Sequence, residues 1–314
     1  MATVSATTAN RQAATSRSET RTGRRARALK VLAMIALGLS SAGRANDYQP
    51  GDWVPFPPGT NLVIGYAEFA TSSRLNNTIV GEVLQSHLDS EIGITRFQHY
   101  IQIGKSVGSV QLILPFGTLN DAKIAGQDLG SSSGIADPVV AAGIWFINDP
   151  ERKLWVSALN FVSIPIGTYH KGRPLNLSNH RWQNDLQVDV TKGLSDTITV
   201  DASLDWIHPW DNRDAGSGRQ TLSQGNIFAT YLWLSYTLPS KATLSAGYAG
   251  TYGGTQRLDG VRIGSKSGEQ QIRLSYSQFI TPKLQGLVQI SHDLAASGQF
   301  KQRAGVLIRI AKVF

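Results

Sequence analysis

The stretch TITVDASLDW, residues 197–206, alternates without a break. Ile198, Val200, Ala202, Leu204 and Trp206 fall on one side of an extended chain, and Thr197, Thr199, Asp201, Ser203 and Asp205 on the other. Successive side chains of a strand point to opposite faces, so a period of two marks a strand with one apolar and one polar face. The pattern recurs along the chain. Leu186, Val188 and Val190 oppose Asp185, Gln187 and Asp189; Ile272, Leu274 and Tyr276 oppose Gln271, Arg273, Ser275 and Ser277. Leu284, Val288 and Ile290 oppose Gln285, Gln289 and Ser291, with Leu287 out of pattern. The best amphipathic helix candidate, Thr78–Leu88, is short.

The alternation predicts about twelve strands, at 61–69, 90–103, 107–115, 139–147, 153–165, 183–192, 196–207, 226–238, 242–252, 269–280, 283–292 and 304–313. Most are about ten residues long, the length that crosses a bilayer at a tilt of about 45°. Their connections alternate. Long ones fall at 70–89, 116–138, 166–182, 208–225, 253–268 and 293–303; short ones at 104–106, 148–152, 193–195, 239–241 and 281–282. Turn chemistry such as Asn148-Asp149-Pro150 and Thr281-Pro282 marks the short set. Long loops at one end and tight turns at the other describe an all-β, transmembrane, antiparallel up-and-down β-barrel. A sheet in hydrocarbon has no water for its backbone polar groups, so it must close on itself. Its apolar face then meets lipid and its polar face the lumen. A soluble β-sandwich is the alternative fold.

The polar faces make Asp185, Gln187, Asp189, Asp201, Asp205, Gln271, Arg273, Gln289 and Arg309 the candidate lumen-lining residues. Strands six and seven carry the acids, strands ten and twelve the arginines. Across an open pore these walls set a transverse field; pairing locally, they fill a narrow lumen instead. Trp145, Trp155, Trp206, Trp233, Tyr236, Tyr248, Tyr276 and Phe279, near strand ends, are read as interfacial girdles. The terminal Phe314 is read as the signal for the barrel insertion machinery, although Lys312 interrupts its parity with Val306, Ile308 and Ile310.

Residues 1–45 read as a cleaved signal peptide. Eight basic residues against Glu19 precede or flank the apolar run Val31–Leu39, and Gly43-Arg44-Ala45 offers a small-residue cleavage site. The net charge of +8 belongs to this leader: residues 46–314 hold 22 basic and 21 acidic side chains, which argues against a nucleic-acid partner. With Cys 0 in the chain, a disulfide scaffold, a thiolate metal site and a cysteine nucleophile are excluded. Asn46–Thr60, with Pro55-Phe56-Pro57-Pro58, reads as an extended segment ahead of the barrel at 61–314.

The stretches Pro57-Pro58-Gly59-Thr60, Gly134-Ile135-Ala136-Asp137-Pro138, Ile164-Pro165-Ile166-Gly167-Thr168-Tyr169 and Asn179…Trp182, in this order, resemble the outer-membrane barrel family named for the MetA pathway of phenol degradation. The resemblance spans nearly the whole mature chain. It implies a pore-like protein of the Gram-negative outer membrane, linked to passage of aromatic or other small apolar compounds, and it carries over no catalytic or ligand residues.

The six histidines form no triad or metal-ligand signature: His292 follows Ser291 on the opposite strand face, and His87 and Asp89 stand two apart in a loop. No catalytic residue, metal or cofactor is predicted. The expected function is passive passage of small, hydrophobic or aromatic solutes. Expected partners are outer-membrane lipid and lipopolysaccharide, the insertion machinery and a small-molecule solute. The alternatives are a non-conducting structural or ligand-binding barrel, or an outer-membrane lipase or protease.

Overall fold

The first long strand pairs with the last, from Leu62 opposite Val313 to Asn76 opposite Gln299, so the sheet has no free edge. The computed structural model describes residues 47–77, 81–216, 218–263 and 266–314; the predicted signal peptide, 1–45, lies outside them. Twelve antiparallel strands form the wall: β1 (Asn61–Asn77), β2 (His87–Ile103), β3 (Ser106–Ile124), β4 (Val139–Asp149), β5 (Leu154–Ser163), β6 (Gln183–Gly193), β7 (Ile198–Pro209), β8 (Ile227–Thr237), β9 (Thr243–Gly253), β10 (Ser267–Thr281), β11 (Leu284–Ser297) and β12 (Gln299–Val313). Each pairs with its neighbours in sequence, which gives the up-and-down order.

The two faces of the wall are inverted relative to a soluble protein. Leu204 is 60% exposed and Leu274 57%, both outward, while Asp201 and Arg273 on the same strands are buried. Removing apolar surface from water is the dominant stabilising term in a soluble fold. This belt of leucine, isoleucine and valine is stable only against lipid, and the protein crosses the membrane with strands.

Three expectations about the connections change. Thr78–Leu88 is not a helix: Gly81–Val83 folds back onto the end of β1, with Leu75 opposite Val83, and β2 begins at His87. Residues 78–80 lie outside the described set. The expected long loop 293–303 is a single residue, Gly298, whose φ of 68° suits a tight turn between β11 and β12. Finally, β1, β2 and β3 run well past their expected outer ends. There Leu75, Leu88, Leu119, Ala122 and Ile124 pack with Leu175 and Leu177 of the 164–182 connection and with Phe300. This second core gives the overhanging strands an apolar reason to continue.

Two further outer connections fold onto each other. Asn212–Ala215, Gln220–Gln224, Gln256–Leu258 and Val261–Arg262 build a small four-stranded sheet above the wall, around Ala215, Leu222, Leu258 and Ile263.

Candidate functional site in the barrel lumen

The segment ahead of β1 enters the lumen. Two backbone hydrogen bonds tie its end to β2 at the turn-rich, periplasmic end: Gly59 N donates to Tyr100 O at 2.8 Å, and Tyr100 N to Thr60 O at 3.0 Å. Four residues upstream begins Pro55-Phe56-Pro57-Pro58, whose three prolines lack N–H donors and favour extended backbone. A turn follows at Gly51 (φ 81°), with Asp52 N bonded to Gln49 O at 3.1 Å. The tip places Tyr48, Gln49 and Trp53 fully inside the barrel.

Two ion pairs clasp this segment to the wall. Asp47 Oδ1 lies 2.6 Å from Arg273 Nη1, and Asp52 Oδ1 lies 2.7 Å from Arg309 Nη1. Trp145 Nε1 donates to Trp53 O at 2.7 Å. Arg96 stands over the Tyr48 ring, 5.1 Å from its centroid, and donates to Gln111 Oε1 at 2.9 Å. Tyr48 in turn packs on Trp53 and Phe161, with ring centroids 5.2 and 6.1 Å apart.

All nine candidate lumen residues are at most 5% exposed. Their roles differ. Arg273 and Arg309 hold the N-terminal segment. The acids are bonded along their own wall: Ser157 Oγ donates to Asp189 at 3.1 Å, Thr191 Oγ1 to Asp201 at 2.6 Å, and Gln187 Nε2 to Asp205 at 2.9 Å. Gln271 Nε2 donates to Asp293 Oδ1 at 2.8 Å, and its Oε1 accepts from Arg273 Nε at 2.6 Å. Asp185 and Gln289 lie buried on the same inner faces. The charged walls therefore face a protein segment rather than open water.

Three of the expected girdle aromatics face inward: Trp155 lines the periplasmic-side cavity, and two more lie deeper. Trp145 and Trp233 are buried, on the inward parity of β4 and β8. Trp145 shares a core with Tyr48 and Trp53 of the segment and packs on Tyr100, with tilted rings 5.7 Å apart, while Trp233 lies against Gly247 of the neighbouring strand. Sequence reasoning also missed Asp47, Tyr48, Asp52, Trp53 and Arg96. The available signal was the apolar residues on inward positions, Leu62, Ile64, Leu159, Leu287 and Leu307, which make one core with Tyr48 and Trp53.

Above and below the segment lie two cavities. The outer one, about 200 Å³, is walled by residues from the upper halves of the strands and from the overhanging loops. The inner one, about 440 Å³, includes Asp52, Phe56, Tyr100, Trp155 and Arg309 and lies toward the periplasmic end.

The outer cavity adjoins a break in the wall. The β11–β12 ladder stops at Ser291 opposite Gly305. Above it β11 remains paired with β10 up to Ser297, and β12 with β1 up to Gln299, each through a register shift. Side chains bridge the gap instead. His292 Nδ1 donates to Arg303 O at 2.6 Å, Gln302 N to Asp293 Oδ2 at 2.7 Å, and Lys301 Nζ to Leu294 O at 2.8 Å. Asp293, Phe300 and Gln302 of this seam line the outer cavity.

Of the four motif stretches singled out in the sequence, Pro57-Pro58-Gly59-Thr60 stands at the periplasmic end and the other three meet at the outer mouth, around Asp137. Its Oδ1 accepts from Ser178 Oγ (2.6 Å) and Gly167 N (3.1 Å), and its Oδ2 from Asn179 N (3.0 Å) and His180 N (3.1 Å). A Cβ on Gly167 would lie 2.6 Å from the Ala136 carbonyl carbon, so only glycine allows this approach. Thr168 N closes the contact on Ile135 O at 2.7 Å. One carboxylate thus organises the 164–182 loop as a lid.

The histidines are engaged singly. His99 and His208 bond Asn61 and Asn226, and His180 stacks on Tyr169 at 4.5 Å. His87 Nε2 lies 3.1 Å from Asp89 and 3.4 Å from Asp121, but the Lys123 ammonium already sits on Asp121. That contact holds the Asp121 carboxyl below its ordinary range and raises Lys123 in turn. The group is an exposed ion-pair network.

Comparison with known proteins agrees with this geometry. Residues 72–310 match the family model described as "Putative MetA-pathway of phenol degradation". The COG4313 outer membrane channel from Pseudomonas putida F1 is similar in structure, with a TM-score of 0.80 and 28% identity over 85% of this chain and 100% of that one. The KdgM porin (TM-score 0.42, 9% identity, 81% and 99% coverage) and a TodX monoaromatic hydrocarbon channel mutant (0.44, 10%, 86% and 93%) are more distant. A search of the curated proteins found no match. The chain is an outer-membrane β-barrel of a Gram-negative bacterium and belongs to the MetA-pathway phenol-degradation family.

Proposed function

We propose that the protein is a channel for small apolar solutes, aromatic ones included, and that it is not an enzyme. The observation that carries this reading is the seam. The outer cavity is bounded at this seam by side-chain bridges in place of the backbone ladder that joins β11 and β12 below Ser291. An apolar solute dissolves in the lipid and reaches the cavity by separating a few side chains, without breaking the sheet. It then passes the N-terminal segment, held by noncovalent contacts, into the inner cavity. Of the nine candidate lumen residues, Asp201 and Arg309 line the inner cavity of this route, and Arg273 holds the segment that divides it. The similar Pseudomonas protein, an outer membrane channel, supports the reading. In this reading Phe314, 61% exposed and bonded through its N–H to Asn61 O at 2.9 Å, is the residue seen by the insertion machinery. Membrane lipid and lipopolysaccharide surround the belt.

The chain has no cysteine, so a pair introduced as His292→Cys and Arg303→Cys is bridged selectively by a reductively cleavable thiol cross-linker. Uptake of toluene into reconstituted vesicles is expected to fall severalfold on bridging and to return on reduction. Toluene uptake no faster than in protein-free vesicles, or uptake unchanged by the bridge, contradicts the reading.

A further inference from the structure

Arg181 is 7% exposed and lines the outer cavity at the end of the lid loop. Its Nη2 donates to Gln224 Oε1. Among the described residues, nothing accepts from its Nε or Nη1. No carboxylate compensates the charge directly. Asp137, which attracts it, has both oxygens occupied by the four loop donors described above, and neither Asp137 nor Asp211 forms an ion pair with it among the described residues. Burial pushes the guanidinium down to about 10, against the pull of Asp137 and Asp211. A buried cation with two unmet donors is costly unless an anion arrives to meet it.

The rest of the cavity says what kind of anion. Leu88, Ile92, Ile207, Ile227 and Phe300 supply apolar wall. Glu68, Glu269 and Asp293 supply negative charge. Glu269 and Asp293 are bonded to amide donors of Gln271, Gln299 and Gln302, and Glu68 has a partner as well. A second negative group on a ligand would meet these acids. We propose that Arg181 is the headgroup site for an amphipathic monocarboxylate, whose apolar body lies against Ile92, Ile227 and Phe300. Charge-assisted hydrogen bonds are roughly twice as strong as neutral ones, so the site selects the acid over the matching alcohol. This assignment narrows the solute class of the channel proposed above and rests on that reading for its biological meaning, but its test is one of binding.

The test is titration of the detergent-solubilised mature protein with benzoate and with benzyl alcohol. Wild type is expected to bind benzoate about tenfold more tightly. Arg181→Gln is expected to remove the preference while leaving benzyl alcohol unchanged, and Arg181→Lys to keep most of it. Arg181→Met, which buries no polar atom, stands in if the glutamine variant fails to show heat-modifiable migration. Equal binding of the two ligands by wild type overturns the proposal whatever the variants do, as does a preference that survives loss of the charge. Vesicle flux separates the two readings. Preferential binding without passage sinks the channel and leaves the site, whereas passage without preference sinks the site and leaves the channel.

Discussion

Asp47 and Arg273 stand 226 residues apart in sequence and meet at 2.6 Å inside the barrel. Together with the pair Asp52–Arg309 they fix the N-terminal segment against one side of the wall. Removing one partner of a buried pair leaves the other charge uncompensated, at a cost of about 3–5 kcal/mol. Asp52→Asn and Arg309→Gln are each expected to loosen the segment and expose Trp53. Acrylamide quenching of tryptophan fluorescence checks this: both variants should quench more strongly than wild type, with the double variant close to either single one, since the two share one interaction.

The lid depends on Asp137. In Asp137→Asn, one oxygen becomes an NH2 group facing a backbone donor of the loop, so at least the Gly167 N bond or the Asn179 and His180 N bonds are lost and a buried donor is left unmet, at about 1–3 kcal/mol. The barrel ladder does not pass through this contact. Limited proteolysis is therefore expected to cut within residues 169–176 in the variant and not in wild type, while heat-modifiable migration remains. Equal resistance would separate the lid from this carboxylate.

Gly247 lies opposite Trp233 on neighbouring strands, and a Cβ there would sit 2.4 Å from the indole ring. Gly247→Ala is expected to destabilise the barrel by about 1–3 kcal/mol through overpacking. Trp233→Leu should relieve the penalty, so the double variant unfolds at higher denaturant than the sum of the single changes predicts. Strict additivity would place the cost elsewhere.

The barrel was legible in the sequence because lipid and lumen impose opposite chemistry on alternate residues, and runs such as Ile198–Trp206 obey it throughout. The plug was not legible. Asn46–Thr60 has no periodicity, and its partners Arg273 and Arg309 read equally well as lining an open pore. Its trace was present as exceptions: Leu287 broke its strand's pattern because it packs inward in the core that includes Tyr48 and Trp53. Trp145 and Trp233 were misplaced because a strand-end aromatic serves a girdle or an inward position alike until its parity is known. The 293–303 segment, rich in polar residues, looked like a loop because a seam held by side chains carries loop-like chemistry on strands. Arg181 sits outside any alternating run, and only the fold shows that its charge is buried.

Single-channel recording of the mature protein beside a variant lacking residues 47–55 tests the central claim, a membrane cylinder whose passage is closed by its own leading segment. Small conductance steps in wild type and severalfold larger, stable steps in the shortened protein are the predicted result. Indistinguishable conductance, with both proteins showing heat-modifiable migration, would contradict it.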